Sequence, residues 1–129
     1  GVVGEGASIQ EGDQPARAMT VRAEPDDGIT IVASRRHGDP ELLEKFLGGR
    51  KLKETRNAGS SLKFCLVAAG EADLYPRFGP TCEWDTAAGH AVLEAAGGRV
   101  TLEDGETPFT YAKRADFLNP HFIAWGGLD

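Results

Sequence analysis

Ile29-Thr30-Ile31-Val32-Ala33, then Ser34-Arg35-Arg36-His37-Gly38, then Asp39-Pro40-Glu41-Leu42-Leu43-Glu44-Lys45-Phe46-Leu47-Gly48-Gly49 reads as strand, polar loop and helix. The first run is rich in β-branched residues, which fit a pleated, buried surface. Asp39 is placed to cap the helix, Pro40 suits its first position and Glu41 favours the positive end of its dipole. Leu42, Leu43, Phe46 and Leu47 share one face, and Gly48-Gly49 stops the helix.

The same grammar recurs on both sides of this unit. Upstream, residues 1–17 hold four glycines and scattered charges, Met19 to Ala23 alternates apolar and polar, and Glu24-Pro25-Asp26-Asp27-Gly28 marks a dense turn. Downstream, Lys51 to Arg56 predicts a short strand. A second helix follows Gly59-Ser60-Ser61, with Leu62, Cys65, Leu66 and Ala69 as its apolar stripe and Gly70 as its stop. Ala72 to Tyr75 predicts a strand and Pro76 to Thr81 a loop. Trp84-Asp85 opens a third helix, with Ala88, Ala91, Val92 and Ala95 on one face and Gly97-Gly98 at its end. Arg99 to Leu102 and Phe122 to Trp125 are the last strands. Strands alternating with helices predict the α/β class, a mixed β-sheet flanked by helices.

Composition sets the boundaries of what this chain does. Its 129 residues suffice for a single domain with one core. With 14 Lys+Arg against 20 Asp+Glu the net charge is −6, which disfavours a nucleic-acid polymer or an anionic membrane as partner. No apolar run approaches the ~20 residues of a transmembrane segment, and no secretion signal opens the chain. Gly1-Val2-Val3-Gly4-Glu5-Gly6 lacks an initiating Met, as in the middle of a longer protein. Cys65 and Cys82 lie at no zinc-ligand spacing and read as reduced thiols.

Four segments carry candidate chemistry. Ser34 to Gly38 follows a strand, where open α/β sheets bind ligands, and it brings Arg35, Arg36 and His37 together; a solvated polar loop is the alternative. In Gly59-Ser60-Ser61-Leu62-Lys63, Ser60 is placed to cap the helix, while Lys63 in the first turn opposes the dipole. An anion bound there would remove that conflict, and a lysine swinging into water is the alternative. Arg77, on a proline-stiffened loop, suits phosphate recognition or a surface salt bridge. Asp85 reads as an N-cap, or as a ligand to a hard cation such as Mg²⁺.

Taken in order, Gly59 to Ala68, Leu74-Tyr75-Pro76-Arg77-Phe78-Gly79-Pro80-Thr81 and Trp84-Asp85-Thr86-Ala87-Ala88-Gly89-His90-Ala91 closely resemble the bacterial 3'(2'),5'-bisphosphate nucleotidases of the CysQ type, in the inositol monophosphatase superfamily. Weaker similarity extends to Val32 through His37 and to Phe117 through Phe122. The superfamily's metal-binding Asp-Pro-x-Asp-Gly-Thr signature is absent, so the chain resembles only the C-terminal half of such a phosphatase.

The resemblance implies that half's layered α/β fold, a Mg²⁺ cofactor with Asp85 as a metal ligand, and a substrate site of His37, Gly38, Ser60, Lys63 and Arg77. It implies two partners, a small-molecule nucleotide and the missing N-terminal half. The whole enzyme would hydrolyse the 3'-phosphate of adenosine 3',5'-bisphosphate in the cytoplasm, and this half alone would be inactive. Attachment to the inner-membrane surface gains no support from the negative charge. The alternatives are an inositol or sugar monophosphate phosphatase on the same fold, and a non-catalytic nucleotide- or partner-binding domain.

Overall fold

The computed structural model describes residues 1–34, 40–59 and 61–128, and of Leu42 only the backbone. Ten elements follow in order: strands β1 (Ala7–Ile9), β2 (Arg17–Met19) and β3 (Ile29–Ala33), helix α1 (Pro40–Leu47), strand β4 (Leu52–Asn57), helix α2 (Leu62–Ala68), strand β5 (Leu74–Arg77), helix α3 (Glu83–Ala95), and strands β6 (Arg99–Leu102) and β7 (Phe122–Trp125). Five strands form the main sheet in the order β4-β3-β5-β7-β6. β3 runs parallel to β4 and β5, whereas β7 is antiparallel to β5 and β6. This is the mixed sheet that the alternation of elements predicts.

Period-2 alternation sorts the strand residues into two cores. Ile29, Ile31, Leu74, Ile123 and Trp125 face one way and pack with Phe46 and Leu128, with Leu43 and Leu47 of α1 against them. Val32, Tyr75, Val100, Phe122 and Ala124 face the other way, toward Phe64, Val67 and Ala68 of α2 and Leu93 of α3. Phe64 is the centre of that second core, stacked on Phe122 at 5.6 Å and edge-on to Tyr75 at 5.2 Å. α3 approaches closely because it presents Gly89 there: a Cβ at that position would lie 2.7 Å from the Phe64 ring. Gly28 allows a second close approach. Its φ is +113°, and a Cβ would meet the Lys51 carbonyl at 2.8 Å, so the turn into β3 requires glycine.

β1 and β2 pair as a separate antiparallel hairpin. Ala7 and Ile9 lie against the α2–α3 core. The segment after the hairpin is clamped to the centre of the sheet. Arg22 donates from Nε and Nη2 to the two carboxylate oxygens of Asp73, at 2.8 and 2.7 Å, and the Thr30 amide donates to the same carboxylate at 2.7 Å. Asp73 is fully buried, so this pairing is what makes its charge tolerable there.

The helix faces differ from the sequence reading. α2 buries Lys63, Phe64, Val67 and Ala68, and leaves Leu62 56% exposed with Cys65, Leu66 and Ala69 half-buried. α3 buries Thr86, Gly89, His90 and Leu93, while Ala88 and Ala91 are exposed. Both helices are apolar on more than one side, and the side carrying Phe64 and Leu93 takes the core because it removes more surface from water. Met19 to Ala23 forms no strand of its own, since β2 ends at Met19. β4 starts one residue after its expected position. β5 extends through Pro76 to Arg77, where a loop was expected. Its pairing with β3 is confined to Leu74, so Pro76 has one neighbouring strand to serve and its missing N–H is tolerated.

Candidate functional site

β3, β4 and β5 are mutually parallel, so their carboxyl ends lie at one edge of the sheet. Beyond Leu74 the β3–β5 ladder stops, and the two strand ends part around an open cleft of about 590 Å³. Ser34 enters it from the end of β3, Asn57, Ala58 and Gly59 from the end of β4, and Arg77 from β5. The starts of α2 and α3 contribute Ser61, Lys63, Phe64, Asp85 and Thr86 to its wall, and Pro80 and Thr81 complete it.

Lys63 is among the largest fully buried side chains of the described residues, only 1% exposed, yet it lines the cleft. Its Nζ sits 5.1 Å over the Tyr75 ring. Burial lowers its pKa below the ordinary lysine value, and the nearby Arg77 charge lowers it further. An anion in the cleft would relieve both effects.

Period-2 alternation puts Tyr75 and Arg77 on the same face of β5. Arg77 is already held at its outer nitrogens: Nη1 donates to the Ser34 hydroxyl at 3.2 Å and Nη2 to the Pro80 carbonyl at 3.4 Å. Its Nε is buried and has no partner. The guanidinium is therefore oriented by its fork, and each Nη keeps a second hydrogen that could serve a ligand oxygen. Tyr75 has its pKa raised by burial, an effect Arg77 opposes by charge and hydrogen bond and Asp85 reinforces.

Asp85 stands across the cleft, in the first turn of α3. The sequence reading of Asp85 as the N-cap is corrected here. The helix begins two residues earlier, the cap position is Cys82, and Asp85 is the third helical residue. Its Oδ2 accepts the Cys82 amide at 2.9 Å, and its own amide donates to the Cys82 carbonyl at 2.9 Å. A carboxylate suits this position because it satisfies an otherwise orphaned N–H and the positive end of the dipole. The cap position of α2 falls on Ser61, without a side-chain capping bond, and Ser60, expected in that role, lies outside the described residues.

Among the described residues Asp85 is the one carboxylate lining the cleft, opposed by two cations, and no group of three His, Cys, Asp or Glu side chains comes together. This donor set suits one ligand of a hard divalent cation, not a whole coordination shell.

Of the six expected site residues, the cleft brings together Lys63, Arg77 and Asp85. His37, Gly38 and Ser60 lie outside the described residues. The structure adds Tyr75, Thr81 and Thr86, which the sequence reading did not assign to the site. For Tyr75 the signal was available, since it lies two residues before Arg77 on a strand and so shares its face. Cys65 and Cys82 are free thiols.

Comparison with known proteins places this geometry. A model of the inositol monophosphatase family matches residues 1–123. An "uncharacterized protein in pss 5' region" of Rhizobium leguminosarum bv. phaseoli is 58% identical over 87 residues, covering 64% of this chain and 90% of that protein. The 3'(2'),5'-bisphosphate nucleotidase CysQ of Escherichia coli (strain K12) is 56% identical over 92 residues, 71% of this chain but 37% of the enzyme. In structure, CysQ from Bacteroides thetaiotaomicron, described as a bacterial member of that family, superposes with a TM-score of 0.75 at 38% identity, over 98% of this chain and 52% of CysQ. The chain thus spans about half or less of the length of the CysQ proteins it matches.

Proposed function

Since the chain belongs to the inositol monophosphatase family, we propose that it is the substrate-binding half of a Mg²⁺-dependent phosphatase that converts adenosine 3',5'-bisphosphate to AMP and phosphate. The observation that carries this reading is the pairing of Lys63 and Arg77 across one cleft from Asp85. Two cations in a partly enclosed site suit a ligand with two phosphates better than one with a single phosphate and several hydroxyls. The 56% identity to E. coli CysQ, itself a 3'(2'),5'-bisphosphate nucleotidase, supports the same substrate.

In this reading the Arg77 guanidinium donates to one phosphate and Lys63 neutralises charge beside it. His37, Gly38 and Ser60 belong to the same substrate set on sequence grounds. Asp85 supplies one Mg²⁺ ligand. When bound there, the ion would supply polarisation of a phosphoryl oxygen and activation of water. The remaining metal ligands belong to a second, N-terminal half. The apolar outer sides of α2 and α3, with Leu62, Ala88 and Ala91 exposed, support such a half by offering it a surface to pack against. A soluble nucleotide substrate supports a cytoplasmic location for the reaction. No helix among the described residues is long and apolar enough to cross a membrane.

The test is a fusion of this chain to the N-terminal half of E. coli CysQ, assayed with adenosine 3',5'-bisphosphate and with inositol monophosphate. Phosphate release should favour the nucleotide, and Arg77→Glu should cost the nucleotide activity about a hundredfold, since it replaces attraction with repulsion at a charge-assisted contact. Equal turnover of the two substrates would overturn the assignment.

A further inference from the structure

Asp85 can serve a ligand only if the first turn of α3 holds still, and the structure contains a device that fastens that turn at both ends. Thr81 lies just before the cap residue Cys82, and Thr86 just after Asp85. A single side chain bridges them: Asn119 Nδ2 donates to Thr81 Oγ1 and to Thr86 Oγ1, each at 3.1 Å. The Asn119 backbone joins in, its amide donating to the Thr81 carbonyl at 2.9 Å. An amide nitrogen has two hydrogens, so both are consumed by this staple.

Thr86 is held from its other side as well. Its hydroxyl donates to the Glu83 carbonyl at 3.2 Å and accepts from the Tyr111 hydroxyl at 3.4 Å. Tyr111 is in turn 2.8 Å from Nδ1 of the buried His90, whose Nε2 meets Glu94 at 3.0 Å. The chain Glu94–His90–Tyr111–Thr86–Asn119–Thr81 therefore runs from the outer part of α3 to its first turn. It is more hydrogen bonding than a helix start needs for stability, because the box between Cys82 and Asp85 already satisfies the cap. The bridged span coincides with the residues that present Asp85 to the cleft.

We propose that Asn119 is a positioning residue for Asp85: it staples Thr81 to Thr86, with His90 and Tyr111 as a backstop, and thereby fixes the carboxylate that faces the ligand. This rests on the reading of Asp85 as a metal ligand. Asn119 touches neither metal nor substrate in this scheme and acts through the helix turn. Its Oδ1 is buried without a partner, which fits a side chain oriented by its nitrogen alone.

Amide hydrogen exchange on this chain, followed residue by residue by NMR, tests the proposal. The Cys82 amide reports the Asp85 contact, and the Thr30 amide, held by Asp73 in the centre of the sheet, reports overall stability. Asn119→Ala should speed exchange at Cys82 about tenfold relative to Thr30, the effect of losing one net hydrogen bond's worth of local order. Thr86→Val, which keeps the shape and deletes the hydroxyl, should do the same, and Thr86→Ser should restore wild-type protection. If Asn119→Ala does not fold, the two Thr86 variants alone decide. Equal acceleration at Cys82 and Thr30, or no acceleration at Cys82, would overturn the proposal by reducing Asn119 to an ordinary packing residue. The readout needs no ligand, so it decides the role of Asn119 even where bisphosphate binding fails and the nucleotide reading falls.

Discussion

Lys63 is the residue on which the sequence reading and the structure bear most differently. From the sequence it is a cation in the wrong place on a helix, and removing it should relieve the dipole. In the structure the whole side chain is buried with its ammonium over the Tyr75 ring, so truncation to alanine would open a cavity and confuse loss of charge with loss of packing. Lys63→Met separates the two by keeping the stem. It should leave stability within about 1 kcal/mol of the wild type, and weaken phosphate binding roughly tenfold or more, the size of one charge-assisted hydrogen bond. The pH dependence gives an independent check. Because burial lowers the folded-state pKa of Lys63 below 10.5, the unfolded chain binds more protons between the two values, and stability should rise with pH across that window. Tyr75, whose pKa is raised above 10.0, acts in the opposite sense at higher pH, where the unfolded chain loses its proton first. Both proteins contain Tyr75, so the difference between their denaturation curves isolates Lys63. Parallel curves below pH 10 would mean that Lys63 does not titrate under strain.

At the level of elements, the strands and helix ends were largely readable, and the helix faces were not. β3 and β7 announce themselves by β-branched and aromatic runs, and α1 by its Asp-Pro-Glu start and Gly-Gly end. These signals are local, and the chain obeys them wherever one partner face suffices. α2 and α3 carry apolar residues on more than one side, so periodicity alone offered two faces for each. The alanine stripe of α3 looked like a core face, but alanines bury little area, and the smaller residue Gly89 took the core position because Phe64 needed the space. Asp85 was placed correctly at a helix start yet three positions off within it, because aspartate is favoured both as a cap and in the first turn. The site followed the same rule: Lys63, Arg77 and Asp85 stood out by charge, whereas Thr81, Thr86 and Asn119 are ordinary polar residues that only the fold brings together. Gly89→Ala tests the packing argument. The added Cβ would sit 2.7–2.9 Å from Phe64 atoms, and the ring is itself pinned by Tyr75 and Phe122. The variant should be destabilised by about 1–3 kcal/mol despite alanine's better helix propensity. A thermal melt at or above the wild-type temperature would show that the helices slide apart freely.

For the whole molecule, the open question is how much of a phosphatase one cleft can be. Phosphoryl transfer by two metals needs ions roughly 3.5–4 Å apart, held by several carboxylates on rigid elements. Among the described residues the cleft has one carboxylate and two cations, and the cations repel the ion that the carboxylate attracts. Mg²⁺ also gives up its waters reluctantly and binds poorly to a single carboxylate. The chain by itself should therefore bind Mg²⁺ only at millimolar or weaker affinity and release no phosphate, while still taking up a bisphosphate through Lys63 and Arg77. Asp85→Asn should separate the two roles of that residue. In the chain alone it removes a favourable charge from a helix start and should cost about 0.3–1 kcal/mol, with bisphosphate binding unchanged or slightly tighter as a nearby negative charge disappears. In the fused enzyme the same change removes the proposed metal ligand and should nearly abolish turnover at unchanged folding. Calorimetric titration of the chain with Mg²⁺ and with adenosine 3',5'-bisphosphate, beside a phosphate-release assay, measures each arm. Micromolar Mg²⁺ affinity or turnover by the unfused chain would mean that ligands beyond Asp85 converge on this cleft and that the division of labour between two halves is wrong.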